Sequence, residues 1–451
     1  METPKPFRAI IVGGGLVGLT AAHIFSQADI DFLILEKHDT PLCSRGTTLA
    51  LWPQTFRIFD QLGLLDTLQQ ILEQIKKSFV LSTEDARIRM EDGTIGFMER
   101  NHGHELRITY RSEMIKFLYE TLPEKAKSRI LLNKRVRDIE VSEGGIKVVC
   151  DDGDTQDGSI VIGADGVRSR VRLLIESLKI GKKPEELPHD RLYPYTTTYR
   201  VYFGDIPSLP GLPANTRYEG TGNGISTQLI VGANRAWFGV FEKLDRPTSE
   251  TTRYTEADKM ELVARWGHLY MAPGWTFHDV NAQRTGDTSL INLEEGLSDR
   301  LFFKRVVIVG DARRKLESHV GLGYNCGVTD LVVLLNGPRK LLKDIESPST
   351  PDLELLFRAY QATRANETQK EADFSMIRAR LLAWPTWKHR ALAKYALPYL
   401  PLDRIMVNVI VAPLVSSTPV LEWLEEKELP ASKVPWKYHP LKQTDEGTIA
   451  K

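Results

Sequence analysis

Apolar positions along this chain follow three rhythms. The first is a short unbroken run that ends at glycine: Ala9–Val12, Ile160–Ile162 and Val306–Val309, with Phe32–Leu35 similar but closing on an acid. Runs of that length with no polar interruption predict strands covered on both faces, as in a parallel sheet. The second rhythm is helical. It covers Leu16–Phe25, Gln54–Leu62 with Gly63 as its stop, and Met114–Thr121 with Ser112 as its N-cap. Further on it covers Val328–Leu335 and, past Pro338, Asp352–Ile377. The third rhythm runs from Tyr193 to Phe302, where stretches such as TTTYRVYFG, STQLIVG and RAWFGVFE alternate among Gly, Thr and Pro. That texture predicts a mainly antiparallel sheet. Shorter strands are expected at Thr48–Trp52, Glu105–Tyr110, Ile130–Leu132, Val136–Val141 and Ile146–Cys150. A hairpin is expected from Ser78–Ser82 and Arg87–Met90, and Gly144-Gly145 reads as a second hairpin turn.

The junction after the first strand carries chemistry. Gly13, Gly15 and Gly18 stand in G-x-G-x-x-G spacing between a strand and a helix, and the next strand closes on Glu36. Gly13 permits the turn, Gly15 lets the backbone approach a pyrophosphate, and Gly18 lets the helix pack against the strand. The helix N-terminus favours phosphate, and Glu36 can accept hydrogen bonds from ribose hydroxyls. An adenine dinucleotide is therefore expected, the other reading being a glycine-rich helix cap. Two further strand-to-glycine junctions each hold an acid: Gly163-Ala164-Asp165-Gly166 and Gly310-Asp311, the latter followed by Gly321-Leu322-Gly323-Tyr324.

Composition narrows the partners. The chain has 451 residues, 42% of them hydrophobic, which allows two or three domains. Lys plus Arg and Asp plus Glu number 59 each, so nothing in the charge favours nucleic acid. Cys43, Cys150 and Cys326 are scattered and form no CxxC pair, which suits reduced thiols and no zinc knuckle. METPKPFRA reaches the first strand too soon for a signal peptide, so a cytoplasmic location is expected. His102 and His104 form an H-x-H without further ligands at metal spacing, so no metal site is expected and an exposed loop is the preferred reading.

Three strand-to-glycine junctions with their acids resemble the FAD-dependent monooxygenases of the p-hydroxybenzoate hydroxylase type, the group A flavoprotein hydroxylases. The resemblance covers about residues 7–370. It implies an α/β fold in which a Rossmann-like FAD-binding domain (1–190 and 303–370) is interleaved with a mainly antiparallel β substrate domain (191–302 with part of 64–110). A helical C-terminal region (371–451) follows. Carried over residue by residue, Gly13, Gly15, Gly18 and Glu36 would hold the ADP half of FAD, and Ala50 would be the small residue packed near the flavin. Arg111 would contact FAD, and Asp165 would brace the cofactor region. Asp311 would accept a ribityl hydroxyl, and Gly321, Gly323 and Tyr324 would lie along the pyrophosphate and flavin. The resemblance also implies NADPH or NADH as transient reductant, with no Rossmann domain of its own, and O2 activated as a flavin C4a-hydroperoxide. TTLALWPQTFRIFDQLG, GLGYNCGVTD and the Trp- and Pro-bearing tail resemble, more narrowly, fungal FAD epoxidases of prenylated indole and polyketide–terpenoid intermediates. That implies epoxidation of an alkene in a large lipophilic substrate.

One departure bears on the chemistry. Where the family's late loop has a proline over the flavin, this chain has Ser318, flanked by Glu317 and His319. Proline pre-sets φ and has no N–H, so its loss leaves a second reading open: a flavin dehydrogenase, or a non-redox cyclase or isomerase. Arg200 and Tyr218 are the candidates for a donor near the reacting oxygen, against an ordinary strand arginine and a half-buried tyrosine. Trp237 and Phe238 read as core rather than a substrate shelf. The tail 381–424 reads either as an interfacial helix on a membrane surface or as a helix packed across the FAD domain. Its longest apolar run, Ile405–Val415, has 11 residues and is too short to span a bilayer.

Overall fold

The structure, a computed structural model, describes residues 6–42, 48–395, 402–427 and 429–441. The four uninterrupted apolar runs come together in one six-stranded sheet. Its order is Phe302–Phe303, Val306–Ile308, Ile160–Gly163, Arg8–Val12, Asp31–Leu35, Ile130–Leu131. All pairs are parallel except the edge hairpin Phe302–Phe303 with Val306–Ile308. Ile10, Ile11, Ile160, Val161, Ile162, Val306, Val307 and Ile308 are wholly buried, as strands covered on both faces must be. Helices Leu16–Ala28 and Gly323–Asp344 pack into the same core. Val12 sits opposite Leu35 on one side and Gly163 on the other, so the glycine turn and the GADG turn leave the same end of the sheet. In open α/β sheets, ligands bind at that carboxyl end.

The alternating stretches form an eight-stranded sheet, ordered Arg314–Lys315, Ser289–Leu297, Thr196–Pro207, Arg235–Thr248, Ile225–Val231, Thr216–Thr221, Lys77–Ser82, Ile88–Glu91. The expected hairpin is its outer edge. One pair departs from the antiparallel expectation, since Thr216–Thr221 and Lys77–Ser82 run parallel. Helices Glu256–Trp266 and Phe277–Ala282 cover one face with a core around Tyr202, Phe238 and Phe277. The other face meets the 34-residue helix Thr350–Ala383, the loop before Gly321, and helix Thr94–His102. The three-stranded sheet of Thr48–Leu51, Arg107–Tyr110 and Glu73–Gln74 joins the two halves.

Three local expectations are corrected. Helix Arg111–Glu120 begins at Arg111, with Tyr110 and not Ser112 at the N-cap position and no side-chain cap. Helix Gly323–Asp344 continues through Pro338, so the proline does not separate two helices there; the break falls at 345–349. His102 closes helix Thr94–His102 and is fully buried against Trp436, with ring centroids 5.4 Å apart, so it is not part of an exposed loop. Cys43, Arg45 and Gly46 lie outside the described residues, as do 396–401 of the tail.

Candidate cofactor and substrate site

Each glycine of the first turn meets a different neighbour. Gly13 adopts φ +106°, and a Cβ there would lie 2.7 Å from the Ala164 carbonyl oxygen. A Cβ on Gly18 would lie 1.9 Å from the Gly13 oxygen. Gly15, the N-cap of Leu16–Ala28, faces open space with nothing within 4 Å. That space is a cavity of about 230 Å³ lined by Gly13, Gly14, Gly15, Glu36, Arg111 and Asp165, with Lys37, Arg135, Arg168 and Arg170 at its margin. Glu36 is 8% exposed. One oxygen accepts from the Gly14 N–H (2.7 Å) and the other from the His38 N–H (2.9 Å), which leaves each a lone pair for a ribose hydroxyl. An uncapped helix end, a side-chain-free backbone face and a rim of cations fit a dinucleotide pyrophosphate.

Asp165 works as a cap. It accepts from Ser169 Oγ (2.5 Å), the Arg170 N–H (2.7 Å) and the Val171 N–H (3.1 Å), and so fixes the start of helix Arg170–Ile180 beside the cavity. Burial pushes its carboxyl pKa up against those hydrogen bonds.

The late loop closes the other end. Val306–Ile308 leads to Gly310 (φ +61°), whose N–H donates to Asp330 (3.0 Å). Asp330 is fully buried and also bound by Arg313, Arg314 and Arg364. Burial alone would raise its pKa, but the three guanidiniums hold it well below the usual carboxylate range. Asp311 accepts from Lys315 Nζ (2.7 Å) at the mouth of helix Gly323–Asp344. Gly321 (φ +65°) packs on Ala50 so closely that a Cβ on it would come within 2.6 Å of the Ala50 methyl. Ala50 therefore has to be small and Gly321 has to be glycine. Tyr324 is buried, its hydroxyl 2.8 Å from Thr20 Oγ1, and ties the two glycine-turn helices together.

Asn325, which the motif reading left without a role, holds this junction. Its Nδ2 donates to the carbonyls of Ala50 and Gly321 (2.9 Å each). Its Oδ1 accepts from the Trp52 N–H (2.9 Å) and Thr55 Oγ1 (2.7 Å). An amide two residues past Gly323 was the signal available. In place of the proline, Ser318–Val320 is a short 3₁₀ turn fixed by its neighbours. Glu317 accepts from the His319 N–H (2.8 Å) and lies 2.6 Å from His319 Nδ1, while His319 Nε2 lies 3.0 Å from Ser226 Oγ. Phe241 covers the imidazole, with ring centroids 3.9 Å apart.

Beside that turn is a second, smaller cavity of about 40 Å³. Its apolar wall includes Trp52, Ile95, Met98, Val320, Phe374 and Val407, and its polar end is Asp92, Arg217, Glu219 and Arg378. Neither catalytic candidate faces it. Tyr218 lies between Arg217 and Glu219 on one strand, so it points to the opposite face, where it stacks on Phe79 (5.7 Å). Arg200 points to the helix-covered face and pairs with Glu242 (2.6 Å), which also accepts from Arg265 and Trp266. Trp237 and Phe238 are both core, on opposite faces. Among the described residues no group of three or more His, Cys, Asp or Glu could hold a metal.

The tail divides. Val407, Val411 and Val415 pack inward with Trp52 and Trp436, whereas Trp387, Tyr395 and Val409 are two-thirds or more exposed. No described helix is long and apolar enough to cross a membrane.

Comparison with known proteins agrees with this geometry. Residues 7–185 match the family model described as an FAD binding domain. The FAD-dependent monooxygenase srdH of Neurospora crassa is 34% identical over 447 residues, covering 95% of this chain and 98% of that protein. The FAD-dependent monooxygenase spyC of Aspergillus fumigatus is 30% identical over 413 residues, covering 88% and 84%. Among solved structures, Klebsiella pneumoniae HpxO complexed with FAD and uric acid aligns with a TM-score of 0.74 at 18% identity, over 91% of this chain and 97% of that one. At that identity the likeness speaks for the fold.

Proposed function

This chain belongs to the FAD-dependent monooxygenases, and from that premise we propose that it epoxidises an alkene of a large, apolar, terpenoid-type intermediate in secondary metabolite biosynthesis. The observation that carries this reading is the mainly apolar cavity set directly against the His319–Val320 turn and Trp52, where Gly321 and Ala50 bring the cofactor loop close. FAD held there would supply the redox chemistry and the site of oxygen activation, with NADPH or NADH as the reductant.

The chain's own residues supply placement and dryness. Gly15, Glu36 and the cationic rim with Arg111 bind the ADP half, Asp165 fixes the turn beside it, and Asp311 offers a carboxylate to ribityl hydroxyls. Gly321, Gly323 and Tyr324 set the helix N-terminus toward the pyrophosphate and flavin, with the Asn325 clamp holding the loop against Ala50. Epoxidation of an isolated alkene needs no substrate deprotonation. An apolar wall that excludes water while one buried imidazole is held by Glu317 and Ser226 therefore suffices. A terpenoid-sized ligand needs several hundred Å³, so the Met406–Val411 wall has to give way to admit one. The outward Trp387 and Tyr395, with Lys388 and Arg390 between them, support the further reading that this wall's neighbour rests on a membrane surface from which lipophilic substrate arrives.

The test is incubation of the FAD-loaded protein with NADPH, labelled O2 and the polyprenyl alkene farnesol, followed by product mass. Gain of one labelled oxygen is expected. Conversion without oxygen gain would instead establish the dehydrogenase or cyclase reading that Ser318 raised.

A further inference from the structure

The polar end of the second cavity is built from four charged side chains on three separate elements. Asp92 follows strand Ile88–Glu91, Arg217 and Glu219 lie on Thr216–Thr221, and Arg378 comes from the long helix Thr350–Ala383. Arg378 bonds to both Asp92 (2.7 Å) and Glu219, and Arg217 lies 3.2 Å from Asp92 and 3.8 Å from Glu219. Further donors reach both acids: Thr94 donates to Asp92 through its N–H (3.0 Å) and hydroxyl (2.5 Å), and Gln228 donates to Glu219 (3.3 Å). Arg217 additionally donates to Ser78 Oγ (3.0 Å).

Exposure separates the two signs. The carboxylates of Asp92 and Glu219 are 2% and 1% exposed, whereas Arg217 and Arg378 are 12% and 16% exposed. A molecule entering this cavity therefore meets guanidinium N–H groups and finds the acids already covered. Both acids are ionised at neutral pH. Burial opposes this, but the two arginines hold Asp92 at about 2 and Glu219 below its ordinary value. Two arginines and two carboxylates sum to zero.

We propose that this quartet is the polar anchor of the substrate, and that it takes an apolar molecule bearing a neutral oxygen acceptor, a carbonyl or hydroxyl, in preference to a carboxylate or phosphate. The reason is the closed charge balance. A neutral acceptor takes a guanidinium N–H and leaves the buried sum at zero. An anion would place an uncompensated charge among groups already paired, in a cavity with little water to screen it. The inference rests on the cavity being the substrate site.

The experiment is equilibrium dialysis of the FAD-loaded protein against three ligands sharing one polyprenyl skeleton: farnesol, the carboxylate farnesoic acid and the hydrocarbon farnesene. Farnesol is expected to bind about tenfold more tightly than the carboxylate, with farnesene also weaker than farnesol. Glu219→Gln keeps the shape of the site but raises its charge by one, and is expected to reverse the order in favour of the carboxylate. Asp92→Asn is a second variant with the same charge change, and circular dichroism checks that each is folded. An equal or tighter affinity of the native protein for the carboxylate overturns the proposal even if both variants fail to fold. An unchanged ratio in folded variants that merely melt earlier does so as well, since the quartet is then only a latch between sheet and helix. Failure of all three ligands to bind overturns instead the assignment of the cavity to a polyprenyl substrate, and the anchor with it.

Discussion

Gly15 and Gly18 stand three residues apart and should fail in different ways when a methyl is added. At Gly18 the new Cβ would sit 1.9 Å from the Gly13 oxygen, a distance no relaxed structure tolerates, so strand and helix must separate. Forced overpacking of that kind costs about 1–3 kcal/mol, and it falls on the fold before any cofactor binds. At Gly15 the backbone is extended (φ −79°, ψ −170°), a conformation alanine adopts freely, and no atom lies within 4 Å. Gly15→Ala should therefore leave the apoprotein's stability within about 0.5–1 kcal/mol of the native value, the scale of a weak N-cap change. The methyl would instead occupy the space assigned to the pyrophosphate. If the same overpacking cost falls on binding, it weakens FAD affinity by about fivefold to 150-fold. The assay needs two readouts on flavin-stripped protein, thermal melting by circular dichroism and FAD titration by fluorescence quenching. Gly18→Ala should lower the melting temperature and weaken binding, and Gly15→Ala should weaken binding alone. A Gly15→Ala protein that binds FAD within about threefold of native would refute placement of the pyrophosphate against this turn.

Two other predictions follow from a buried histidine and from the exposed part of the tail. His102 is fully buried, neither ring nitrogen has a partner, and burial pushes its pKa down to about 4. The unfolded chain therefore takes the proton first. Stability is complete above the ordinary histidine range near 6.5 and is lost as pH falls toward 4, by about 3 kcal/mol from this group. His104 is shifted in the same direction by burial and adds to the loss. Urea midpoints between pH 7 and pH 4.5 should fall steeply in the native protein and less so in His102→Gln, whereas parallel slopes would dissociate His102 from the effect. The exposed Trp387 and Tyr395 predict cosedimentation with anionic phospholipid vesicles that is weakened several-fold by Trp387→Ser with Lys388→Ser. Equal sedimentation of native and variant protein would remove the membrane reading.

The dinucleotide half was legible because its requirements are local. A turn that needs φ > 0, a helix start without a side chain and an acid at the end of the next strand are all properties of neighbouring residues. The substrate half was less so, because a strand shows its alternation without showing which side faces the ligand. Tyr218 was chosen on chemical grounds, while the residues on either side of it, Arg217 and Glu219, line the cavity. Arg378, more than 150 residues downstream, completes their charge balance, and no spacing rule connects positions brought together by tertiary packing. Arg200 shows the same limit, since its partner Glu242 lies on the adjacent strand of the helix-covered face. At Ser318 the sequence shows only that the φ preset by proline is missing from the loop. The structure shows it held by the side chains of Glu317, His319 and Ser226, the last contributed by the other sheet.

The order of strands in the parallel sheet also dictates when this enzyme can first hold its flavin. The central strand Arg8–Val12 precedes Val306–Ile308 and the Gly310–Asn325 clamp by some 300 residues. A growing chain thus carries the glycine turn long before its sheet gains the strand next to Ile160–Gly163. Loading of the whole cofactor must wait until that strand and clamp are made, and chains aborted before that point would expose apolar strand edges with no flavin to close over them.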